Sequence, residues 1–261
     1  MSSIESVYLP PDLYSRNYII AQGISALKKQ LGLKNVKILD VGGLHGQVVE
    51  FVDEMDEITI LDIRKGPEPN LIVGDGTRMT MFKDQSFDIV ISSDVLEHIP
   101  KDLRADFFSE ACRVAKHMVI VAAPFYSKEV ALSEKHIRDF FKEIVGHEHQ
   151  WLNEHNEMGL PDKDEFEQRI CDRGLNFVRV GSNSISNWLL IQQFDVLKFS
   201  FGVSEEDVKE IHKYYNDHIK YLENPECPFY RYIYFVTKEK NTFSFDYTPD
   251  IELQNIYEAK V

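Results

Sequence analysis

The stretch from Val36 to His98 contains four short apolar runs, and each run carries or precedes a carboxylate at its end. Short apolar runs that alternate with helical patterns are typical of parallel strands buried on both faces. Ligands of such sheets bind outside the carboxyl ends of the strands, near the point where the strand order switches. Four acidic tips at one edge predict a site for a ligand that carries positive charge and sugar hydroxyls. The runs and their acidic residues are Val36–Val41 with Asp40, Ile58–Leu61 with Asp62, Leu71–Val73 with Asp75, and Ile89–Ile91 with Asp94.

The loop after the first run distinguishes between two kinds of nucleotide-like ligand. A dinucleotide fingerprint needs G-x-G-x-x-G after the first strand, so that bare backbone can approach a pyrophosphate. Counted from Gly42, the second and third glycine positions hold Leu44 and Gln47, and Asp40 would repel the phosphates. S-adenosylmethionine fits this edge better, because it carries a sulfonium and an ammonium but no phosphate. Its ribose diol can donate two hydrogen bonds to one carboxylate, and Asp62 stands at the tip expected to receive them.

Residues 36–125 resemble the core of a class I S-adenosylmethionine-dependent methyltransferase of the type 11-like subfamily. The resemblance rests on LDVGGLHG at 39–46 and VLEHI at 95–99, and it departs at Leu44, where the family usually has its middle glycine. It implies that the glycine loop wraps the methionine moiety, that the second acidic tip holds the ribose, and that the third meets the adenine. The cofactor residues implied are Asp40, Gly42, Gly43, Gly46, Asp62, Ile63, Asp75, Gly76 and Ser92, and the product is S-adenosyl-L-homocysteine.

These residues also have ordinary structural uses. Asp62 and Asp75 can cap the turn that follows a strand, and the three glycines can simply permit a tight turn. All of these residues occur together at the ends of the four apolar runs, and this combination favours cofactor binding over the separate structural explanations.

The resemblance implies a Rossmann-like α/β fold, with a doubly wound, seven-stranded, mostly parallel sheet whose last strand is antiparallel, plus helical cap insertions. The predicted organisation is an N-terminal helical leader over the cofactor site at 1–35, a methyltransferase domain at 36–240 with cap insertions near 126–161 and 183–228, and a C-terminal tail at 241–261. Apolar periodicity and end signals predict the elements. The predicted helices are Asp12–Leu31, one from near Pro100 to Lys116, Ser133–Val145, Asp162–Arg173, Asn187–Phe201 and Ser204–Leu222, and the later strands are Met118–Ala123, Phe177–Val180 and Phe229–Thr237.

The leader contributes two further candidate cofactor residues. In related methyltransferases an aromatic leader often folds over the cofactor, so Tyr14 and Arg16 are expected to clamp the methionine end. Tyr18 is expected only to pack against the sheet.

The first candidate for chemistry beyond cofactor binding is the segment that follows the fourth run. If a helix begins there, Asp94 lies three residues from Glu97 and four from His98, so the three side chains can converge. Two carboxylates and an imidazole can hold a divalent metal, and some small-molecule and RNA-end methyltransferases that resemble this sequence use such a signature. In many others the same segment only lines the cofactor pocket, which is the favoured interpretation. Asp94 and His98 are therefore candidate catalytic residues, and no metal ligand is assigned.

The second candidate is the histidine-rich segment at 147–161. His147, Trp151 and His155 share helical i, i+4, i+8 spacing, which predicts two imidazoles beside an indole. Such a face suits sugar or aryl recognition, and an imidazole can take up a hydroxyl proton. His149 and His155 are the catalytic candidates, with His149 slightly favoured; the alternative, which is favoured for any single histidine, is a core Trp151 with histidines that cap helix ends. The block HEHQWLNEHNEMGLP resembles, more weakly, a block in methyltransferases associated with polysaccharide synthesis.

The predicted function is transfer of a methyl group from S-adenosylmethionine to a small-molecule acceptor, first of all a hydroxyl of a sugar or glycan intermediate. One alternative is N-methylation or phenol O-methylation of another small metabolite. A second alternative is a non-catalytic S-adenosylmethionine-binding protein, and a nicotinamide enzyme is a more distant one. The oligomeric state stays open.

Composition restricts the partners and the compartment. The net charge of −14 disfavours a nucleic-acid partner, because that affinity comes mainly from Lys and Arg contacts to phosphates. Cys112, Cys171 and Cys227 are far apart and outside any CxxC motif, which favours reduced thiols. The N-terminus lacks the features of a signal peptide, and the longest apolar run, Met118–Phe125, is too short to span a bilayer. These features predict a cytoplasmic protein without a membrane span.

Overall fold

The apolar runs become strands of one seven-stranded sheet. The computed structural model describes residues 8–218, 228–238, 243–245 and 247. The strands are β1 (Lys37–Val41), β2 (Glu57–Asp62), β3 (Leu71–Val73), β4 (Phe87–Ser93), β5 (Ala115–Pro124), β6 (Asn176–Ser184) and β7 (Phe229–Thr237). Their order across the sheet is β3-β2-β1-β4-β5-β7-β6.

The direction of the strands confirms the expected Rossmann-like topology. The pairs β1–β2, β1–β4, β2–β3 and β4–β5 are parallel, whereas β7 runs antiparallel to both β5 and β6. Val41 of β1 pairs with Ser92 of β4, so the strand tips meet at the point where the order reverses. Ligands of open parallel sheets bind at such a point.

Helices cover both faces of the sheet and build the insertions. They are α1 (Pro11–Leu31), α2 (Arg104–Val114), α3 (Lys128–Val145), α4 (Gln150–Met158), α5 (Lys163–Asp172), α6 (Ile185–Phe201) and α7 (Glu205–His218). Short 3₁₀ turns occupy Val48–Glu50 and Leu96–His98.

The core follows from the alternation of side chains along each strand. In β1, Leu39 belongs to the apolar cluster on one face of the sheet, and its neighbour Ile38 belongs to the cluster on the other. Phe107 of α2 and Phe166 of α5 pack on the first face, and Ile24 of α1 packs on the second. Burial on both faces explains why the parallel strands read as continuous apolar runs.

Helices α3, α4 and α6 of the two predicted cap insertions share a separate apolar cluster. The first predicted insertion contains α3 and α4, and the second contains α6 and α7. The ring of Trp188 stacks on that of Tyr230 with 3.9 Å between centroids, which joins α6 to β7. The buried residues of this cluster are Val130, Ile137, Leu152, Trp188 and Tyr230.

Several element ends differ from the predicted ones. The helix expected from near Pro100 begins only at Arg104, after a turn, and it ends at Val114 because Ala115 already belongs to β5. In contrast, α3 begins earlier than predicted, at Lys128, because the hydroxyl of Ser127 accepts a hydrogen bond from the amide of Val130 (3.1 Å) and caps the helix.

Other elements agree with the predictions more closely. α1 ends as expected at Gly32, which has a φ of +68°, and β7 has the predicted bounds. The last residues of the helix predicted over Ser204–Leu222 lie outside the described residues.

The end of the described chain joins the core. The ring of Phe243, in the predicted tail, is 3 % exposed and lies 6.2 Å from that of Phe235 in β7. Cys112 is buried and Cys171 exposed, both as free thiols, and Cys227 lies outside the described residues. None of the described helices is long and apolar enough to cross a membrane.

Candidate active site

The glycine loop that follows β1 is held close to the sheet. The amide of Gly46 donates to the carbonyl of Gly43 (2.9 Å) and closes the turn. Gly42 has a φ of +76°, and a Cβ atom on it would lie 2.3 Å from Val95. A Cβ atom on Gly43 would lie 2.3 Å from the carboxylate of Asp40. Backbone conformation and close contact therefore both require glycine here.

Leu44, the departure from the family pattern, does not distort this loop. Its side chain is 6 % exposed and packs toward Gly66, where an added Cβ atom would lie 2.3 Å from it. The positive φ angles of the loop fall on Gly42, His45 and Gln47, not on Leu44. Position 44 therefore needs no glycine, and its side chain is directed into the protein.

Two carboxylates at the tips of β1 and β2 are almost completely buried. Asp40 and Asp62 are each 4 % exposed. Burial raises the pKa of Asp40 to about 7, against the opposing charge of Arg16 and with a further contribution from Asp62. Asp62 accepts hydrogen bonds from the backbone amide (2.9 Å) and the Nε (3.2 Å) of Arg64. Buried carboxylates at this edge favour a ligand that carries positive charge or donates hydrogen bonds.

The third tip is open to solvent. Asp75 is exposed, and its Oδ1 accepts from both the amide and the hydroxyl of Thr77, each at 2.8 Å. The turn-capping use of Asp75 is therefore present in the structure. Gly76 packs closely, because an added Cβ atom would lie 2.8 Å from Val41. Ile63 is 74 % exposed at the same edge, and an exposed apolar side chain there can pack against a flat ring.

The tip of β4 carries hydroxyls without partners. Ser92 is fully buried, and neither its Oγ nor that of Ser93 has a hydrogen-bond partner among the described residues. Buried polar atoms are normally paired, so these hydroxyls are available to a ligand or to water at the switch point.

The leader helix α1 lies against the glycine loop. The side-chain amide of Asn17 donates to the carbonyl of Gly46 (2.7 Å). The ring of Tyr14 is buried, stacks on Tyr18 (5.9 Å between centroids) and contacts Phe51 edge-on (5.5 Å). Sequence reasoning missed Asn17, because nothing in the sequence separates this buried amide from a solvated one.

Four charged residues form a carboxylate–arginine cluster between α1, the tip of β4 and β7: Asp12, Arg16, Asp94 and Arg231. Arg231 is 2 % exposed and donates to Asp94 (2.6 Å from Nε) and to Asp12 (2.8 Å). Arg16 also donates to both carboxylates. Burial acts to raise the pKa of Asp12, but the charges of Arg231 and Arg16 outweigh it and lower the pKa to about 2.

Asp94 consequently does not join Glu97 and His98 in the way that helical spacing predicts. Its φ is +55°, and the 3₁₀ turn Leu96–His98 begins only after it. Both of its carboxylate oxygens accept from Arg231. The grouping of Asp94 with Glu97 and His98 as metal ligands is therefore not the one that the structure forms.

His155 takes the place expected for Asp94, and we term Glu97, His98 and His155 the histidine cluster. Nε2 of His155 lies 3.3 Å from Nε2 of His98, and ligand atoms of all three residues lie within 4.8 Å of one another. Nδ1 of His155 lies 2.9 Å from Glu134, and Nδ1 of His98 lies 3.0 Å from Glu154. The cluster joins a turn of the core to helices α3 and α4 of the cap.

The surroundings shift the pKa values of the cluster in different directions. Burial, with the nearby charge of Asp94, raises the pKa of Glu97 to about 8. Burial and the neighbouring His155 lower the pKa of His98. Burial also acts to lower the pKa of His155, but its hydrogen bond to Glu134 and the charge of Glu97 outweigh it, so that pKa is raised.

The other two histidines of the segment lie apart from the cluster. α4 begins at Gln150, so His147 and His149 precede the helix. Nδ1 of His149 accepts from the amide of Leu152 (3.3 Å) and caps α4, and its ring packs on Phe141. The alternative expected for this segment, a histidine at a helix end, describes His149. Trp151 is 49 % exposed, so it is not a core residue.

Trp151 and Arg64 connect the histidine cluster to the sheet edge. The indole of Trp151 packs edge-on against His98, with 5.6 Å between ring centroids. The guanidinium of Arg64 lies 5.9 Å from the centre of the indole, and its Nε also bonds Asp62. The carboxylate tip of β2 and the histidine cluster thus lie on the same side of the molecule. Gly42 of the loop contacts Val95, just before the cluster.

Comparisons with known proteins agree with this geometry. Residues 39–122 match a family model described as a methyltransferase domain. The plantazolicin methyltransferase BamL, solved with a triazolic desmethylPZN analog and SAH, is similar over 86 % of this chain and 86 % of its own, at 12 % identity and a TM-score of 0.52. A protein described as a sarcosine dimethylglycine methyltransferase from Galdieria sulphuraria is similar over 84 % of this chain and 85 % of its own, at 15 % identity and a TM-score of 0.50. A search of curated protein sequences finds no significant match.

The family match shows a methyltransferase domain at residues 39–122, and the 3-2-1-4-5-7-6 sheet around it supports the predicted class I S-adenosylmethionine-dependent methyltransferase fold. The matched domain and the fold indicate a methyltransferase enzyme, with S-adenosylmethionine as methyl donor and S-adenosylhomocysteine as product.

Proposed function

We propose that this methyltransferase acts on a hydroxyl of a small-molecule acceptor, and in particular of a sugar or glycan intermediate. The observation that carries the proposal is the continuity between the two parts of the site. Arg64 contacts both the Asp62 carboxylate and the indole of Trp151, and Trp151 packs on His98. An acceptor held under α4 is therefore a neighbour of the strand tips assigned to the cofactor.

The residues at the strand tips fit S-adenosylmethionine in this proposal. The loop at Gly42, Gly43 and Gly46 offers bare backbone and carbonyl oxygens, and Asp40 adds a buried carboxylate beneath it. Asp62 is assigned to the ribose diol, and the exposed Ile63 is assigned to the adenine ring. The unpaired hydroxyl of Ser92, together with Asp75, Gly76, Tyr14 and Arg16, completes the proposed set. When bound, the cofactor supplies an electrophilic methyl group on a sulfonium.

The protein's own contribution is mainly to position the acceptor and accept its proton. Positioning two reacting groups for in-line attack supplies much of the rate in such a transfer. Trp151, half exposed and adjacent to an imidazole, is suited to the apolar face of a sugar ring. The Nε2 atoms of His98 and His155 can take up the hydroxyl proton or hold a metal ion that lowers its pKa.

His155 replaces His149 as the favoured catalytic histidine of the cap in this proposal. His155 shares the cluster with His98, while Nδ1 of His149 is used to cap α4. Asp94 acts as a positioning residue, because its carboxylate is engaged by Arg231 and Arg16.

The experiment that tests the proposal is an acceptor screen with isotopically labelled S-adenosylmethionine. Purified protein is incubated with sugar nucleotides, oligosaccharides, phenols and amines, and products are identified by mass spectrometry. Label on a sugar hydroxyl, lost in His155→Ala while S-adenosylhomocysteine still binds, is the expected result. Methylation of only amines or phenols overturns the sugar assignment, and cofactor binding with no turnover on any acceptor favours the non-catalytic alternative.

A further inference from the structure

The histidine cluster has an unusual arrangement of protons. In both imidazoles, Nδ1 faces a carboxylate: Glu154 at 3.0 Å from His98, and Glu134 at 2.9 Å from His155. An ionised carboxylate only accepts hydrogen bonds, so each Nδ1 must carry the ring proton. In the neutral rings, the lone pairs then remain on Nε2.

These two lone pairs point at each other across a short gap. Nε2 of His98 lies 3.3 Å from Nε2 of His155. Two acceptors at this distance need an electrophile between them, either a shared proton or a metal ion. Imidazole nitrogens bound at about 2.0–2.1 Å to one tetrahedral zinc ion lie roughly 3.3–3.4 Å apart, which matches the observed separation.

A third atom distinguishes between these two electrophiles. Glu97 is 1 % exposed, and its Oε2 has no hydrogen-bond partner among the described residues. Its carboxylate lies within the same group of ligand atoms, all within 4.8 Å of one another. A proton shared between the imidazoles leaves this buried oxygen unpaired, whereas a metal ion pairs with all three groups. Among the described residues this is also the one group of three that could hold a metal.

We propose that Glu97, His98 and His155 bind one divalent first-row transition-metal ion. Two imidazoles and a carboxylate favour Zn²⁺, Fe²⁺, Co²⁺ or Mn²⁺ over Mg²⁺, which prefers oxygen ligands. Three protein ligands leave at least one position for oxygen atoms of a water molecule or an acceptor.

The surroundings of the ligands support this assignment. Metal-binding histidines almost always donate their second ring nitrogen to a carboxylate or carbonyl, as both do here. Tyr230 in turn donates to Glu134 (2.9 Å), which fixes that carboxylate. The buried Arg231 bonds Asp94 in the carboxylate–arginine cluster. The third ligand position is therefore left to His155 of the cap.

The metal has a specific role if the proposed function is correct. An acceptor hydroxyl bound to the ion would lose its proton more readily, since a bound divalent metal lowers the pKa of an oxygen ligand. This role rests on the proposed function, whereas metal binding itself rests only on the three side chains.

The test uses the full chain after treatment with a chelator. The protein is titrated separately with Co²⁺, Zn²⁺, Mn²⁺ and Mg²⁺ by calorimetry, and the visible absorption of Co²⁺ reports its coordination. We expect one Co²⁺ per chain with ligand-field bands of a nitrogen- and oxygen-bound ion, and weak binding of Mg²⁺. Glu97→Gln and His155→Ala should each lower the affinity roughly 100-fold or more, and Glu134→Gln about 10- to 100-fold. His147→Ala, an exposed histidine of the same segment, is the matched control and should bind as the wild type.

Binding of S-adenosylhomocysteine to every variant checks that the fold is retained. If the chelated wild type binds the cofactor but no transition metal, or if Glu97→Gln and His155→Ala bind Co²⁺ as the wild type does, the metal proposal is wrong. If metal-free protein methylates a sugar hydroxyl at full rate, the metal has no catalytic role and the proposed function stands. Stoichiometric metal binding without methylation of any sugar would support the metal site and contradict the proposed sugar acceptor.

Discussion

Two clusters of charged and titratable groups meet just after β4, where Asp94 of one is three residues from Glu97 of the other, and they differ in how completely their acceptor atoms are paired. In the carboxylate–arginine cluster, both oxygens of Asp94 and both oxygens of Asp12 accept from arginines. In the histidine cluster, two imidazole lone pairs face each other and Oε2 of Glu97 has no partner among the described residues. The carboxylate oxygens of the first cluster are all paired without a ligand, although Nε of Arg16 has no partner among the described residues, whereas the acceptor atoms of the second cluster are not all paired. Pairing of the acceptor atoms therefore distinguishes a structural cluster from a candidate binding site.

The largest expected effect is on the paired cluster. Arg231→Met removes the buried guanidinium that bonds two half-buried carboxylates and leaves them with Arg16 alone of the two arginines, so it should destabilise the protein by about 3–5 kcal/mol, as is typical when one member of a buried ion pair is removed. Chemical denaturation measures the loss. The control is Lys135→Ala on α3, which removes an exposed i,i+4 pair with Asp139 and should cost at most about 0.5 kcal/mol. Equal effects of the two changes would show that the buried cluster contributes no more than a surface pair.

A second prediction compares the two neighbouring carboxylates directly. Asp94→Asn removes the charge that two arginines share and should destabilise the protein by roughly 1–3 kcal/mol. In metal-free protein, burial raises the pKa of Glu97 to about 8, so at pH 7 Glu97→Gln replaces a mostly protonated carboxyl with a neutral amide and should leave stability unchanged or increase it. Both free energies of unfolding are measured in the presence of a chelator. A large loss of stability in Glu97→Gln would mean that the Glu97 carboxyl is already paired in the metal-free protein, which contradicts an open metal site.

A third prediction concerns the cofactor edge. Asp62→Asn should weaken binding of S-adenosylhomocysteine by about 10- to 100-fold, because two hydrogen bonds from a ribose diol to a charged acceptor are weakened. Isothermal titration measures the affinity, and the denaturation midpoint checks the fold. Arg64→Ala removes the guanidinium that bonds Asp62 but keeps the carboxylate, so it should change the affinity less. Unchanged affinity in Asp62→Asn refutes the ribose assignment.

A fourth, smaller effect is the dependence of cofactor affinity on pH. Burial raises the pKa of Asp40 to about 7 in the free protein, so this carboxyl binds a proton at pH 6 that it has lost in the unfolded chain. Its contribution to stability therefore falls as pH rises from about 4 to 7. A cationic cofactor favours the ionised form, so affinity should rise with pH up to about 7, by at most about tenfold per unit, and then level off.

The control for this pH effect is Asp40→Asn, which cannot ionise. Arg16 and Asp62 face Asp40 and are present in both proteins. A flat profile in the wild type, or an equal slope in Asp40→Asn, would assign the pH dependence to another group.

The fold was largely predictable because its signals are local. The bounds of β7 and the end of α1 at Gly32 follow from short-range patterns, since a residue with positive φ ends a helix wherever it occurs. The extra length of α3 came from one capping hydroxyl, Ser127, which periodicity alone does not reveal. Helical spacing failed at Asp94 because this residue adopts a φ of +55°. No sequence interval pairs it with Arg231, which lies 137 residues away.

The sequence by itself determined the edge at Asp40, Asp62 and the glycine loop, because each strand and the turn after it are contiguous in the chain. Because these strands are parallel, their tips meet at one edge of the sheet independently of how the cap packs. The tertiary structure decided which histidine joins His98, because this depends on how α4 packs against the turn at the end of β4. His149 precedes the helix and caps it, while His155 lies one and a half turns inside and faces the core. The proposed acceptor side of the site is thus assembled from distant segments, and only their packing defines it.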